Sequence, residues 1–238
     1  MIGSPHVHHR VTDSTNARAR ELAAAGAPHG TIVTAAEQTA GRGRQGRSWT
    51  AAPGDALLFS LLVRGVKPGA ALLPLAAAVA VCESLAPIEA AIKWPNDVWI
   101  ERRKVAGILL EGRPQEGWAV IGIGLNVRTR EFPAELQDTA TSLALVGAAD
   151  PEPDAARVAL VAALDRWIAA PAEEVLEAWR ARDALRGERV RWGPGSGGTA
   201  AGITDSGSLI VDTDAGERVE LDAGEVHLQR PATAEGGA

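Results

Sequence analysis

The sequence predicts an α+β fold, in which a mixed central sheet with helices is followed by a small β-barrel. Between residues 91 and 127, strand-like runs succeed one another directly, which argues against a βαβ winding. Helix patterns lie before and after these runs. After Arg186 the chain changes to short runs separated by Gly, Asp and Ser, which is typical of a small barrel.

The first part of the chain predicts a helix behind a short lead-in. Residues 1–12 are rich in His and have no apolar period, which favours a lead-in strand or a tail. Asp13 or Ser14 can cap a helix, because a short polar side chain accepts hydrogen bonds from its first backbone N–H groups. The helix runs to Ala25, and Gly26 supplies the left-handed residue that commonly ends a helix.

Two strands and a helix are predicted next, with a long loop between the strands. Residues 31–36 alternate in side-chain character and are rich in β-branched residues, as strands are. Residues 56–63 form a continuous apolar run of strand length. Residues 37–55 contain Gly, Arg and Pro without a period, and a loop of that length in a compact domain is usually functional or disordered. Residues 70–85 are rich in alanine and predict a buried helix.

The rest of the chain predicts more strands, two helices and the barrel. The strand-like runs are residues 91–94, 98–100, 105–111 and 118–127. Helix patterns cover residues 155–169 and 173–184. The barrel strands are residues 188–192, 201–204, 208–212 and 218–221. We therefore expect one domain over residues 1–184, a small domain over residues 185–230 and a disordered tail over residues 231–238.

Composition and charge narrow the class of function. The chain has 238 residues and a formal net charge of −6, so it lacks the basic excess of a general nucleic-acid binder, and any cationic site must be local. The single cysteine, Cys82, cannot form an intramolecular disulfide, and no signal peptide opens the chain, which favours the cytoplasm. Residues 72–85, the most apolar stretch, are too short to cross a bilayer, which takes about 20 residues. We expect neither nucleic acid nor membrane as a partner.

The densest motif is residues 41–49, Gly-Arg-Gly-Arg-Gln-Gly-Arg-Ser-Trp. It contains Gly-x-Gly-x-x-Gly, but residues 47–54 would not start the helix that a dinucleotide fingerprint requires, so a Rossmann site is excluded. No Gly-Lys-Ser or Gly-Lys-Thr follows, so a P-loop is excluded as well. Two interpretations remain: a solvated basic loop, or a flexible loop whose arginines bind phosphate while its glycines let the backbone approach a ligand.

Two lysine motifs lie on neighbouring predicted strands. In residues 93–98, Lys-Trp-Pro-Asn-Asp-Val, the polar pair at positions 96 and 97 provides either turn residues or ligands, and the aspartate could help to hold Mg²⁺. In residues 104–109, Lys-Val-Ala-Gly-Ile-Leu, the lysine is either an ordinary edge residue or a fixed positive charge in a partly dry site. The glycine of this second motif permits close approach of a ligand.

Residues 122–127, Gly-Ile-Gly-Leu-Asn-Val, place two glycines at alternate positions of a predicted strand. One face of the strand is then bare, which either makes room for a flat ligand or allows a tight sheet crossing. Cys82, in the alanine-rich helix, is expected to be an inert buried thiol.

In this order and with these intervals, the motifs resemble the biotin protein ligase family over nearly the whole chain. Residues 13–16, Asp-Ser-Thr-Asn, match the family's opening motif, and Glu37-Gln38 with the arginine loop match its ligand-ordered loop. Two departures are Gln45, where a basic residue is common, and Asp55-Ala56, where the family often has Asn-Leu.

The resemblance implies a fold and a domain content. It implies a catalytic domain related to class II aminoacyl-tRNA synthetases, followed by an SH3-like barrel. Family members that also act as repressors carry an N-terminal helix-turn-helix of roughly sixty residues. About a dozen residues precede Ser14 here, so the form without that DNA-binding domain is expected.

The resemblance also implies site residues, with Lys104 and Arg42 as the catalytic pair. The implied biotin-binding residues are Ser14, Thr15, Asn16, Gln38, Gly41, Arg42, Lys104, Gly107, Gly122 and Gly124. The implied ATP- or adenylate-binding residues are Arg44, Arg47, Trp49, Asn96, Lys104 and Asn126. Asp97 is the implied Mg²⁺ ligand, and Asn96 is the alternative.

The implied activity has two steps. Biotin and ATP, with Mg²⁺, form biotinyl-5′-AMP, and biotin is then transferred to a lysine of a biotin carboxyl carrier protein or domain. A monomer or weak homodimer is expected. One alternative is a lipoate protein ligase, and the complete arginine loop and the barrel favour biotin over it. The other is a non-catalytic biotin or nucleotide sensor, which Lys104 and the three loop arginines disfavour.

Overall fold

Two sheets organise the computed structural model, which describes residues 1–66, 72–222, 224 and 226–228. The strands of the first sheet are β1 His6–Thr12, β2 Ile32–Gln38, β3 Ala56–Arg64, β4 Ala91–Lys93, β5 Asp97–Ile100, β6 Arg103–Arg113 and β7 Trp118–Asn126. Their order is β1-β2-β3-β7-β6-β5-β4. β1 and β2 are parallel, and the other neighbouring pairs are antiparallel. The sheet is therefore mixed, as predicted.

Four α-helices accompany this sheet in the described part of the chain. They are α1 Thr15–Ala24, α2 Leu73–Ser84, α3 Pro153–Trp167 and α4 Ala172–Arg180. Gly26 follows α1 with a φ of +87°, as expected of a residue that ends a helix. Residue 70, the predicted start of α2, lies outside the described residues. None of these helices has the length and apolar character needed to span a membrane.

The two faces of the first sheet carry different side chains because successive residues of a strand point to opposite faces. Phe59, Ile123 and Ile108 lie opposite one another on β3, β7 and β6, in the main core that also includes residues of α2, α3 and α4. On the other face, Leu62 and Val120 pack with α1 in a second, smaller cluster. The rest of that second face includes Gly107, Gly122 and Gly124, which are predicted site residues.

The second sheet is antiparallel and contains β8 Arg189–Gly193, β9 Ser196–Ile203, β10 Leu209–Thr213, β11 Arg218–Leu221 and β12 His227–Leu228. Its order is β11-β10-β9-β8-β12, which agrees with an SH3-like C-terminal unit, although no pairing among the described strands closes it into a ring. β9 begins five residues before its predicted start at residue 201, and β12 was not predicted. The predicted tail at residues 231–238 lies outside the described residues.

Candidate functional site

A row of positions across the first sheet forms the floor of a large cavity. The strand register places Leu58, Gly124, Gly107, Asp97 and Lys93 side by side on β3, β7, β6, β5 and β4. All five line a cavity of about 1250 Å³. Pockets for one small ligand usually measure roughly 300–1,000 Å³, so this cavity is larger than a site for one small ligand usually is.

The predicted site residues converge on this cavity although they come from separate segments. Those that line it are Ser14, Thr15, Asn16, Gln38, Arg42, Arg44, Arg47, Trp49, Asn96, Asp97, Lys104, Gly107, Gly122, Gly124 and Asn126. Gly41 is the predicted residue that does not line it. A side chain at Gly41 would meet the Trp49 carbonyl oxygen at 2.3 Å, so this glycine allows the loop to fold tightly.

One end of the cavity is a buried polar network at the first turn of α1. The backbone N–H and the hydroxyl of Thr15 donate to Gln38 Oε1 at 2.7 and 3.0 Å. The Ser60 hydroxyl lies 2.8 Å from Thr15 Oγ1 and 2.6 Å from Asn16 Oδ1. Ser14 is at the N-cap position, but its side chain makes no capping hydrogen bond within the described structure. The hydrogen-bond donors and acceptors at this end bond to one another and link α1 with β2 and β3.

Ser60 and Glu111 belong to this network and were not predicted. Ser60 is fully buried on β3 and lies opposite Gly122 of β7. Glu111 Oε2 accepts a hydrogen bond from Asn16 Nδ2 at 2.8 Å. The sequence contained weak signals for both, since Ser60 is a lone hydroxyl in an apolar run, and Glu111 is a carboxylate on the same strand face as Gly107.

The arginine loop folds back on itself instead of following an irregular path. Its ends are joined by a bridge between Arg42 and Ser48, and the N–H of Gly43 donates to the Arg47 carbonyl at 2.7 Å. Gln45, at the tip, has a φ of +56°, in the left-handed region. This turn presents the side chains of the loop arginines to the same cavity.

The Trp49 indole covers the two glycines at the centre of the floor. A Cβ at Gly124 would lie 2.3 Å from Trp49 Cε2, and a Cβ at Gly107 would lie 3.1 Å from Trp49 Cζ3. Gly122 is likewise covered, by Asn16, whose Oδ1 would be 2.3 Å from an added Cβ. The strand faces expected to be bare are thus filled by the protein's own side chains, and the assignment of these glycines to a ligand stays a prediction.

Lys104 lies between the floor and the arginine loop. Its Nζ is 2.7 Å from Asp97 Oδ1 and 5.6 Å from the centre of the Trp49 ring, within the range of a cation–π contact. Backbone hydrogen bonds to Thr139 and from Thr141, of 2.7 and 2.8 Å, fix its main chain. The lysine is therefore held as a fixed positive charge beside the loop.

The two asparagines predicted to contact nucleotide also support the local backbone. Asn126 Nδ2 donates to the Thr141 carbonyl at 3.0 Å, and Asn96 Nδ2 donates to the Ile108 carbonyl at 2.8 Å. These bonds orient both carboxamides and engage one of the two N–H donors of each. A contact with a nucleotide could therefore use Oδ1 as an acceptor or the second N–H as a donor.

Two further walls of the cavity were not predicted. The segment that contains Thr129, Phe132 and Asp138 closes one side, and Glu188 with His227 of the C-terminal unit reaches the opening. Arg102, in the turn between β5 and β6, binds Glu188 at 2.7 Å. The lining residues include seven arginines and lysines and six carboxylates, and three of the arginines, Arg42, Arg44 and Arg47, belong to the arginine loop. Positive charge is therefore concentrated at the loop and not spread over the whole cavity.

Comparisons with known proteins agree with this architecture. Residues 8–127 match the model of the biotin/lipoate A/B protein ligase family, and residues 195–228 match the biotin protein ligase C-terminal domain. The chain is 39% identical over 239 residues to a biotin–[acetyl-CoA-carboxylase] ligase of Mycobacterium tuberculosis, which covers 92% of this chain and 87% of that protein.

A second relative is longer than this chain. The bifunctional ligase/repressor BirA of Bacillus subtilis is 43% identical over 153 residues, and the match covers 60% of this chain and 47% of that protein. The chain thus spans about half the length of this relative.

A solved structure extends the likeness to three dimensions. The biotin protein ligase from Aquifex aeolicus, in complex with biotin and ATP, superposes with a TM-score of 0.83 at 28% identity, covering 96% of this chain and all of that one. Because one family model matches half of the chain and a relative of similar length is well aligned, the chain belongs to the biotin/lipoate A/B protein ligase family, and its C-terminal unit is a biotin protein ligase C-terminal domain.

Proposed function

We propose that this protein is an ATP-dependent biotin protein ligase, which forms biotinyl-5′-AMP and transfers biotin to a lysine of a biotin carboxyl carrier protein. The observation that carries the proposal is one cavity with two different ends. The end at Thr15 and Asn16 has a buried polar network, and the end at the arginine loop is cationic. Lys104 lies where the floor meets the loop.

The first step brings two anions together. The biotin carboxylate oxygen attacks the α-phosphorus of ATP, the bond from phosphorus to the bridging oxygen breaks, and pyrophosphate leaves. Lys104 and Arg42 would meet the charge that develops on the phosphate oxygens, because fixed cations in a partly dry site need no reorganisation. Arg44 and Arg47 would hold the departing phosphates.

The second step consumes the mixed anhydride. A neutral amine of the carrier lysine attacks the biotinyl carbonyl, an amide bond forms, AMP leaves and the amine proton passes to solvent or a nearby base. Since water would hydrolyse the anhydride, the intermediate must be shielded. Trp49 already packs over Gly124 and Gly107 on the floor, and we propose that it packs on the adenine when ligands are present.

Mg²⁺ fits this site as a part of the Mg·ATP substrate. Asp97 is the predicted ligand, and its Oδ1 is paired with Lys104 at 2.7 Å. Among the described residues, no three His, Cys, Asp or Glu side chains are grouped to hold a metal. One carboxylate is enough, because Mg²⁺ commonly binds one or two carboxylates with substrate phosphates and water. When bound, the ion would neutralise phosphate charge.

The cellular setting and the domain division are also proposals. We propose that catalysis occupies residues 1–184 and that residues 185–230 help to present the carrier, because β8 begins at Arg189 and Glu188 reaches the cavity. A monomer or weak homodimer in the cytoplasm suits an enzyme whose substrates are ATP, biotin and a carboxylase component.

A direct assay of the acyl-adenylate tests the proposal. The protein is incubated with Mg·ATP and either biotin or lipoate, and the product is detected by mass spectrometry. Biotinyl-AMP should accumulate with biotin, and transfer to an apo-carrier domain should follow. Lipoyl-AMP alone would establish the lipoate ligase, and no adenylate with either acid would favour a sensor.

Two substitutions should remove the first step without unfolding the protein. Lys104 and Arg42 line the cavity with partly exposed side chains, so replacing either with alanine should leave the fold intact. Each substitution should lower pyrophosphate release by at least about 100-fold, the effect typical of losing one charge-stabilising group. Arg113→Ala is the matched control, since Arg113 is exposed and pairs with Glu116 away from the cavity. Near-normal pyrophosphate release by Lys104→Ala would contradict its role.

A further inference from the structure

Glu111 joins three groups from two distant segments. It lies on β6, on the same strand face as Gly107, and its side chain is 20% exposed. Oε2 accepts the hydrogen bond from Asn16 Nδ2 at 2.8 Å. Oε1 lies 3.2 Å from Arg20 Nη1 and 3.5 Å from Arg42 Nη1.

A single oxygen therefore holds two guanidinium groups near each other. Like charges at this separation repel, more strongly in a half-buried site than in water. The Glu111 carboxylate offsets this repulsion. The bridge to Ser48 holds the Arg42 backbone, but the Arg42 side chain is 41% exposed and lies outside the helices and strands. Without that carboxylate, the repulsion between Arg20 and Arg42 would not be offset at this point.

The same carboxylate is bonded to the polar end of the cavity. Asn16 is 4% exposed and is held by Ser60 through its Oδ1 and by Glu111 through its Nδ2. A ligand that contacts Asn16 therefore touches a residue bonded to Glu111, and Glu111 also pairs with Arg42. The geometry connects the end proposed for biotin with the cation proposed for the phosphate.

We propose that Glu111 is a positioning residue that holds Arg42 at the junction of biotin and ATP, and that it does so through its charge. This inference rests on the proposed biotin ligase function. Glu111 does not line the cavity, so it acts through Arg42 and not by touching the substrate.

The first test replaces the charge and keeps the shape. In Glu111→Gln, the side-chain oxygen can still accept from Asn16, so KM for biotin should stay within about threefold of wild type, whereas kcat for pyrophosphate release should fall roughly ten- to a hundredfold, as misplacement of a catalytic group does. Glu116→Gln is the matched control, because Glu116 is an exposed carboxylate paired with Arg113, and it should leave both constants unchanged.

The second test asks whether Glu111 acts through Arg42. If it does, adding Glu111→Gln to Arg42→Ala should lower kcat no further, since the two changes remove one interaction. Arg20→Ala should leave kcat within about threefold of wild type, because the carboxylate then serves Arg42 alone. A Glu111→Gln loss that is fully additive with Arg42→Ala would overturn the proposal.

Remaining outcomes are also decisive. Wild-type kcat in Glu111→Gln, a higher kcat, or a loss confined to KM for biotin would each refute the positioning role. If Glu111→Gln does not fold, judged by circular dichroism, Glu111→Asp replaces it, and the shorter carboxylate should lower kcat while KM for biotin changes little. If the wild-type protein makes no biotinyl-AMP, the ligase function and this inference are both wrong. If the wild-type protein makes biotinyl-AMP and Glu111→Asp has the same kcat, the inference alone is wrong.

Discussion

Replacing Gly122 with alanine should disable the polar end of the cavity by adding a single methyl group. A Cβ at Gly122 would lie 2.3 Å from Asn16 Oδ1 and 2.8 Å from both Cγ and Nδ2. Because all three atoms of the carboxamide are too close, rotation in place cannot relieve the overlap. The Asn16 side chain must therefore leave its position.

The size of the effect follows from the bonds that Asn16 would lose. Ser60 Oγ donates to Oδ1 at 2.6 Å, and Nδ2 donates to Glu111 at 2.8 Å, with a long third contact to the Leu109 carbonyl at 3.4 Å. A neutral bond contributes about 1 kcal/mol and a bond to a charged group about 2 kcal/mol, so the free energy of unfolding should fall by about 3 kcal/mol. For a chain of this size, the melting temperature should fall by roughly 6–12 °C.

Thermal unfolding and calorimetric titration with biotin measure both consequences. Gly193→Ala is the matched control, because Gly193 is also in a strand and an added Cβ would meet its nearest atom, Ser196 Oγ, at 4.0 Å. The control should have the melting temperature and the biotin affinity of the wild type, whereas Gly122→Ala should melt at a lower temperature and bind biotin more weakly. Asn16→Ala already removes these hydrogen bonds. The double variant Gly122→Ala with Asn16→Ala should therefore be no less stable than Asn16→Ala alone. If Gly122→Ala melts with the control and binds biotin normally, the reasoning is wrong.

Three other changes test the energetics away from this network. Burial raises the pKa of Cys82 to about 12, so its thiol should not react with a thiol reagent at pH 8 until the protein is unfolded by denaturant. Burial also raises the pKa of Asp183 above its ordinary value, despite the hydrogen bond from the Leu185 N–H. Folding then favours the protonated form, so Asp183→Asn should be more stable than wild type at pH 7, and this advantage should shrink as the pH falls through the folded-state pKa, measured by urea denaturation. Arg102→Ala breaks the exposed pair with Glu188 and should change the free energy of unfolding by less than about 1 kcal/mol, which the same denaturation measures.

The sequence predicted the strands wherever burial imposed a pattern. The apolar run at residues 56–63 became β3, and residues 118–127 became β7, because both strands lie at the centre of the sheet with one face against the main core. For β1 the sequence predicts either a strand or a tail, because β1 is an edge strand whose largely exposed side chains impose no period. β12, with two residues, is too short to produce any pattern.

The candidate site was predicted where its residues are consecutive and missed where they meet only in the fold. The arginine loop and the lysine motifs are local and could be recognised. Ser60 meets Asn16 across 44 positions and Glu111 meets Asn16 across 95, and such partnerships depend on the register of β3, β7 and β6. The wall around residues 129–140 has no regular element and no motif, so nothing in the sequence marked it.

The two cations implied in catalysis share one design, in which each is paired with a carboxylate. Lys104 is paired with Asp97 at 2.7 Å, and Arg42 with Glu111 at 3.5 Å, each carboxylate coming from a strand of the first sheet. Both cations are partly exposed, and several cations placed together would repel one another. The carboxylates reduce this repulsion, and the strands keep them in place beside the cations. An incoming phosphate or carboxylate can then bind Lys104 or Arg42 where the side chain already lies. The binding of two anions therefore requires little rearrangement of the positive side chains.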